Sequence, residues 1–135
     1  MKKEKRGLKN LVFLKVEAKE FLEVLPPHVR LEETLLIYPD PWPKKRHHKH
    51  RLVQAAFLDQ LAARSESGAR FCLRTDHEEY FAWTQDKIEA HPAWILHPGL
   101  AWPFEHETYF QSLLPSHRSL LAVRKEIADP RVLDA

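Results

Sequence analysis

Two carboxylates and one run of cations are the residues of this chain most suited to chemistry. Asp40 stands within Pro39-Asp40-Pro41-Trp42-Pro43. Alternating prolines there fix φ and remove backbone donors, and each biases its predecessor toward extended geometry. Asp40 and Trp42 are therefore presented stiffly. An indole stacks on a nucleobase and a carboxylate accepts from a base N–H. The competing reading is a rigid strand exit with Trp42 tucked into the core. The second carboxylate, Asp76, lies in Thr75-Asp76-His77-Glu78-Glu79. That stretch also reads as a helix start, with Thr75 or Asp76 as N-cap and Glu78 or Glu79 completing a capping box.

Directly after the proline loop comes Lys44-Lys45-Arg46-His47-His48-Lys49-His50-Arg51. It holds five of the 21 Lys and Arg and none of the 19 acids; without it the formal net charge of +2 becomes −3. One segment makes the chain basic, which points to a local anionic partner. Lys45, Arg46, His47, Lys49 and Arg51 form a candidate phosphate-binding patch; the alternative is a solvated charge run. Metal binding by the histidines is disfavoured, because neighbouring cations oppose a divalent ion and no cysteine assists.

These groups need a scaffold. Residues 11–16, Leu-Val-Phe-Leu-Lys-Val, read as a buried strand. Residues 17–25 read as a helix ended by Pro26-Pro27, in which Glu17 serves at least as a first-turn acid. Residues 34–38 are a second strand, apolar on both faces. Val53, Phe57 and Leu61 mark a helix over 52–64, closed by a glycine turn at Gly68. A strand over 69–74, a helix over 78–90, a strand over 93–97, a short helix over 108–114 with a Thr-x-x-Gln start, a strand over 117–125 and a tail over 129–135 follow. Strands alternating with helices imply an α/β fold with a mostly parallel sheet. Asp40 and Asp76 each lie two residues beyond a predicted strand, where open α/β sheets bind ligands.

The 135 residues fit a single domain, and 44% hydrophobic content suffices for a core. The one cysteine, Cys72, excludes an internal disulfide and a cysteine-cluster metal site. Three glycines with no G-x-G argue against a glycine-rich phosphate loop. With no apolar run of membrane-spanning length and no signal-like start, the expected setting is soluble and cytoplasmic.

From Tyr38 to Lys49 the chain resembles bacterial tRNA (guanine-N7)-methyltransferases, which carry an F-P-D-P-W-x-K-x-R-H-x-K-R-R stretch after a strand. Leu8-Lys9-Asn10-Leu11 followed by Glu17-Ala18 is similar to the family's L-x-N-L…D-A, Thr75-Asp76 with Tyr80 to its T-D-x-x-x-Y, and Thr108-Tyr109-Phe110-Gln111 to its T-x-F-E. The resemblance implies a Rossmann-like fold that uses S-adenosylmethionine to methylate N7 of a variable-loop guanosine in tRNA. It implies Asp40 as the central acid beside cofactor and base. Lys44, Asp76, Thr108 and Gln111 would line the substrate side, and Glu17 would stand where the family's Asp meets the cofactor adenine. Guanine N7 carries a free lone pair, so the reaction calls for in-line placement more than for a strong base.

Three residues depart from the pattern: Glu17 replaces Asp, Gln111 replaces Glu, and His50 replaces Arg. The family's first two strands and its glycine-bearing cofactor loop have no counterpart, so the chain reads as a single partial methyltransferase domain over 1–135 and unaided catalysis is not expected. A noncatalytic tRNA-binding module, or a subunit that needs a partner, is the alternative. Strand 11–16, deprived of its neighbours, is expected beside 34–38; otherwise it stays loose, or another chain (a second copy or a partner) completes the sheet.

Overall fold

The computed structural model describes residues 9–103 and 117–126. Four strands form one sheet: β1 (Leu31–Ile37), β2 (Ser65–Thr75), β3 (Trp94–Leu96) and β4 (Arg118–Arg124), in the order β1-β2-β4-β3. Helix α1 (Ala18–Val24) precedes β1, a 3-10 helix (Lys45–His50) and α2 (Ala55–Arg64) link β1 to β2, and α3 (Glu78–Glu89) links β2 to β3. The expected helix over 108–114 and the tail over 129–135 lie outside the described residues.

The sheet is mixed, which corrects the mostly parallel expectation. β1 pairs with β2 in parallel, as a helical crossover permits. β4, however, inserts between β2 and β3 and runs antiparallel to both. Apolar runs such as Leu120-Leu121-Ala122 report burial on both faces but carry no information about direction.

Leu31 pairs with Ser65 and Glu33 with Arg70, so β2 loops out between these pairs. Gly68 lies there at φ +81°, a conformation that glycine adopts without steric cost.

Side chains of α2 (Phe57, Leu58, Leu61) and α3 (Tyr80, Ile88) meet Phe71 and Leu73 of β2 and Leu120 and Ala122 of β4 in the core. Phe71 stands edge-on to both Phe57 and Trp94, at ring-centroid separations of 6.2 and 6.1 Å. Trp94 Nε1 donates to Leu58 O at 3.1 Å. This packing holds β2 rigid and so fixes the strand ends from which the candidate site projects.

Residues 11–16 do not form the expected strand. They carry no regular structure and are exposed: Val12 by 66%, Phe13 by 53%, Leu14 by 65%. Their composition favours a strand, but a strand exists only when paired, and they do not pair with β1. The outer edge of β1 consequently has no neighbour among the described residues.

Candidate functional site

β1 and β2 end side by side. Ile37 is in register with Arg74, and Tyr38 N–H donates to Arg74 O at 2.7 Å, extending the ladder by one residue. The chain then turns sharply. Tyr38 and Trp42, both followed by proline, adopt φ +50° and +43°, a region that costs a side-chain-bearing residue about 1–3 kcal/mol. Asp40 Oδ1 accepts from Trp42 N–H at 3.2 Å and closes the loop on itself. Asp40 is exposed at the strand end. Trp42 is half-buried but outside the core cluster; its ring lies 4.9 Å from His50 and 5.6 Å edge-on from His47. Neither tucked away nor free-standing, it sits on the basic run.

Arg51 holds this strained loop. The sequence placed it among the surface cations; the structure corrects that, because it is only 1% exposed. Its Nε donates to Pro41 O and its Nη2 to Glu79 Oε1, each at 2.8 Å. The guanidinium lies 4.9 Å from the Trp83 ring centroid and 5.4 Å from that of Tyr80. His48 adds a contact from Nε2 to Glu79 Oε1 at 3.1 Å. The Arg51 hydrogen bond, supported by the charges of Arg51, His48 and His77, pulls the Glu79 pKa below the ordinary glutamate value. The first turn of α3 is thereby tied to the proline loop.

With Arg51 turned inward, the remaining cations face out. Lys44, Lys45, Arg46 and Lys49 are exposed and make no ion pair among the described residues; His47 is half-buried against Trp42. Asp76 is exposed just beyond β2. It is not the N-cap of α3: Thr75, the last residue of β2, accepts His77 N–H at its hydroxyl, and His77 Nδ1 caps the helix by accepting from Tyr80 N–H. The strand runs so close to the helix that the cap falls one or two residues later than expected. Glu17 caps α1 with both oxygens, accepting from Lys19 and Glu20 N–H at 3.1 and 3.2 Å. Among the described residues no hydrogen bond or ion pair joins it to the proline loop. Thr108 and Gln111 lie outside the described residues. The structure thus brings together Asp40, Trp42, Lys44 and the 45–49 run on one loop, with Asp76 beyond the adjacent strand.

Sequence reasoning missed Glu79, Trp83 and Arg118 at this end of the sheet. Arg118 is in register with Thr75 and lies 4.4 Å from the Phe81 ring centroid, adding a cation. Nothing in its surroundings along the chain signals this. Glu79, by contrast, lies one residue before the quoted Tyr80. Among the described residues no group of three His, Cys, Asp or Glu is arranged to hold a metal ion, and no helix is long and apolar enough to cross a membrane.

The fold is of a methyltransferase class. It matches a solved S-adenosylmethionine-dependent O-methyltransferase from Thermotoga maritima with a TM-score of 0.52 at 16% identity, covering 95% of this chain and 45% of that one. The family model described as "Putative methyltransferase" (Methyltransf_4) matches residues 1–108, and the chain belongs to that family. It is 46% identical over 87 residues to a tRNA (guanine-N(7)-)-methyltransferase of Halorhodospira halophila, covering 64% of this chain and 38% of the relative. It is 36% identical over 97 residues to one of Roseobacter denitrificans, covering 71% and 41%. The chain therefore spans about two-fifths of the length of these curated relatives.

The described residues do not by themselves complete a seat for S-adenosylmethionine. A cofactor of that size needs a crevice walled on both sides of the strand ends. β1 has no strand on its outer side among the described residues. Glu17 spends its carboxylate on its own helix. Gly68 lies in the β2 loop-out and Gly99 between β3 and β4, so neither belongs to the loop that leaves β1.

Proposed function

We propose that this chain binds tRNA at the carboxyl ends of β1 and β2, as the tRNA-facing part of a tRNA (guanine-N7)-methyltransferase-like protein. Asp40 accepts from the Watson–Crick edge of a variable-loop guanosine, and Trp42 supplies a stacking plane beside it. Lys44 and Asp76 flank the base, with Thr108 and Gln111 assigned to the same side by family resemblance. Lys45, Arg46, His47 and Lys49 face the phosphates. One observation carries the reading: a strained, proline-locked loop is pinned by a buried arginine, with its cations left outward. A loop already rigid loses little entropy when it binds.

Methyl transfer by the chain alone is not part of this proposal. The β1 edge, open among the described residues, favours a noncatalytic binding module or a subunit that acts with a partner.

Binding of unmodified tRNA across a series of salt concentrations tests the reading. Affinity should fall steeply with salt, and K44A/K45A/R46A should reduce the log–log slope by roughly two to three. Unchanged affinity and slope would reduce the patch to a solvated face. Calorimetry with S-adenosylmethionine should show no binding to the isolated chain; tight one-to-one binding would reverse the statement about the cofactor seat.

A further inference from the structure

We propose that two copies of this chain pair by exchanging strands, residues 11–16 of each adding to the outer edge of β1 in the other. Among the described residues two features lack partners, and each fits the other.

The first is the β1 edge. Open strand edges offer a row of unpaired N–H and C=O groups, and proteins ordinarily cover, shorten or charge them. This edge is seven residues long and half-buried over most of its length. Beside it runs a largely apolar groove of about 330 Å³, floored by Phe21 and Leu22 of α1 and Phe57 and Leu61 of α2. The groove is also lined by the consecutive residues Glu33, Thr34, Leu35 and Leu36. Consecutive strand residues point to opposite faces, so the groove wraps over the edge of the strand. A groove of that shape accepts another strand.

The second feature is the segment 11–16. It is six residues long, close to the length of β1, and its large apolar side chains are exposed. Charge also matches: Lys9 and Lys15 flank or lie in the segment, and β1 presents the exposed Glu32, while Glu33 is paired with Arg70 of its own sheet at 2.8 Å.

The segment does not occupy the edge of its own chain. It enters α1 through the Glu17 cap, and α1 is held on α2 by Gln60 Nε2 to Lys19 O at 2.8 Å and Arg64 Nε to Leu22 O at 3.0 Å. A second copy satisfies edge and segment together with α1 left in place, and two-fold symmetry does so twice in one interface.

Light scattering and hydrogen exchange on the intact chain provide the test. The wild type should have twice the single-chain mass of 15.9 kDa, and the amides of residues 31–37 should be protected. V12K/L14K alters only exposed positions, so it should keep the wild-type circular dichroism while halving the mass and removing the added protection. A wild type of single-chain mass overturns the proposal. So does a V12K/L14K dimer, or a dimer whose β1 amides exchange alike in wild type and variant.

Discussion

Arg51 is the residue on which the site's geometry turns. Its guanidinium bridges the Pro41 carbonyl and the Glu79 carboxylate between two aromatic rings. A lysine carries the same charge but not the planar fork. R51K should therefore lose one of the two anchors and lower tRNA affinity several-fold, whereas R51A should also cost about 2–3 kcal/mol of stability in urea unfolding. Glu79 offers a separate readout. Its pKa is depressed, so its contribution to stability is complete above the ordinary glutamate value and disappears as pH falls through the lower folded-state value. Acid titration of E79Q should lack that part of the pH dependence; identical profiles would detach Glu79 from the loop. Neither role was legible in sequence. Arg51 closes a run of cations, and Glu79 sits in an acidic helix start, so local reading assigned one to the phosphate-binding patch and the other to a capping box.

At the scale of elements, period and punctuation carried most of the fold. Val53, Phe57 and Leu61 located α2, and all three are buried. Gly68 was read as the turn that closes α2, but α2 ends at Arg64 and Gly68 lies in the loop-out within β2, where its φ of +81° leads to a prediction. A Cβ there meets nothing within 4 Å, so G68A should destabilise by backbone strain alone, by about 1–2 kcal/mol, readable as a lowered urea midpoint. Strand direction was not legible, because the long return from β3 to β4 permits either sense. Nor was the fate of residues 11–16: an apolar pattern states a tendency to pair, and only the rest of the sheet decides whether a partner is present.

For the whole molecule, the helices on one sheet face form a core that leaves the basic loop at the strand ends and an apolar edge at β1. That core should be sensitive to truncation: F57A removes the ring packed against Phe71 and should cost about 3–5 kcal/mol. Cys72 reports on integrity, since burial pushes its thiol pKa up to about 11. A thiol reagent should react with it only after unfolding. Family membership and the placement of Asp40 beyond a strand were legible because a long, unusual motif carried both.

The central claim is that the loop of Asp40, Trp42 and the neighbouring cations receives tRNA. Amide and indole chemical shifts of the isotope-labelled chain, recorded as tRNA is added, test it most directly. The account predicts that the largest perturbations fall on residues 40–50, the Trp42 indole N–H and residues 76–79, and that added salt reverses them. Perturbations confined to the opposite end of the sheet, or none at concentrations where RNA binding is measured, would contradict it.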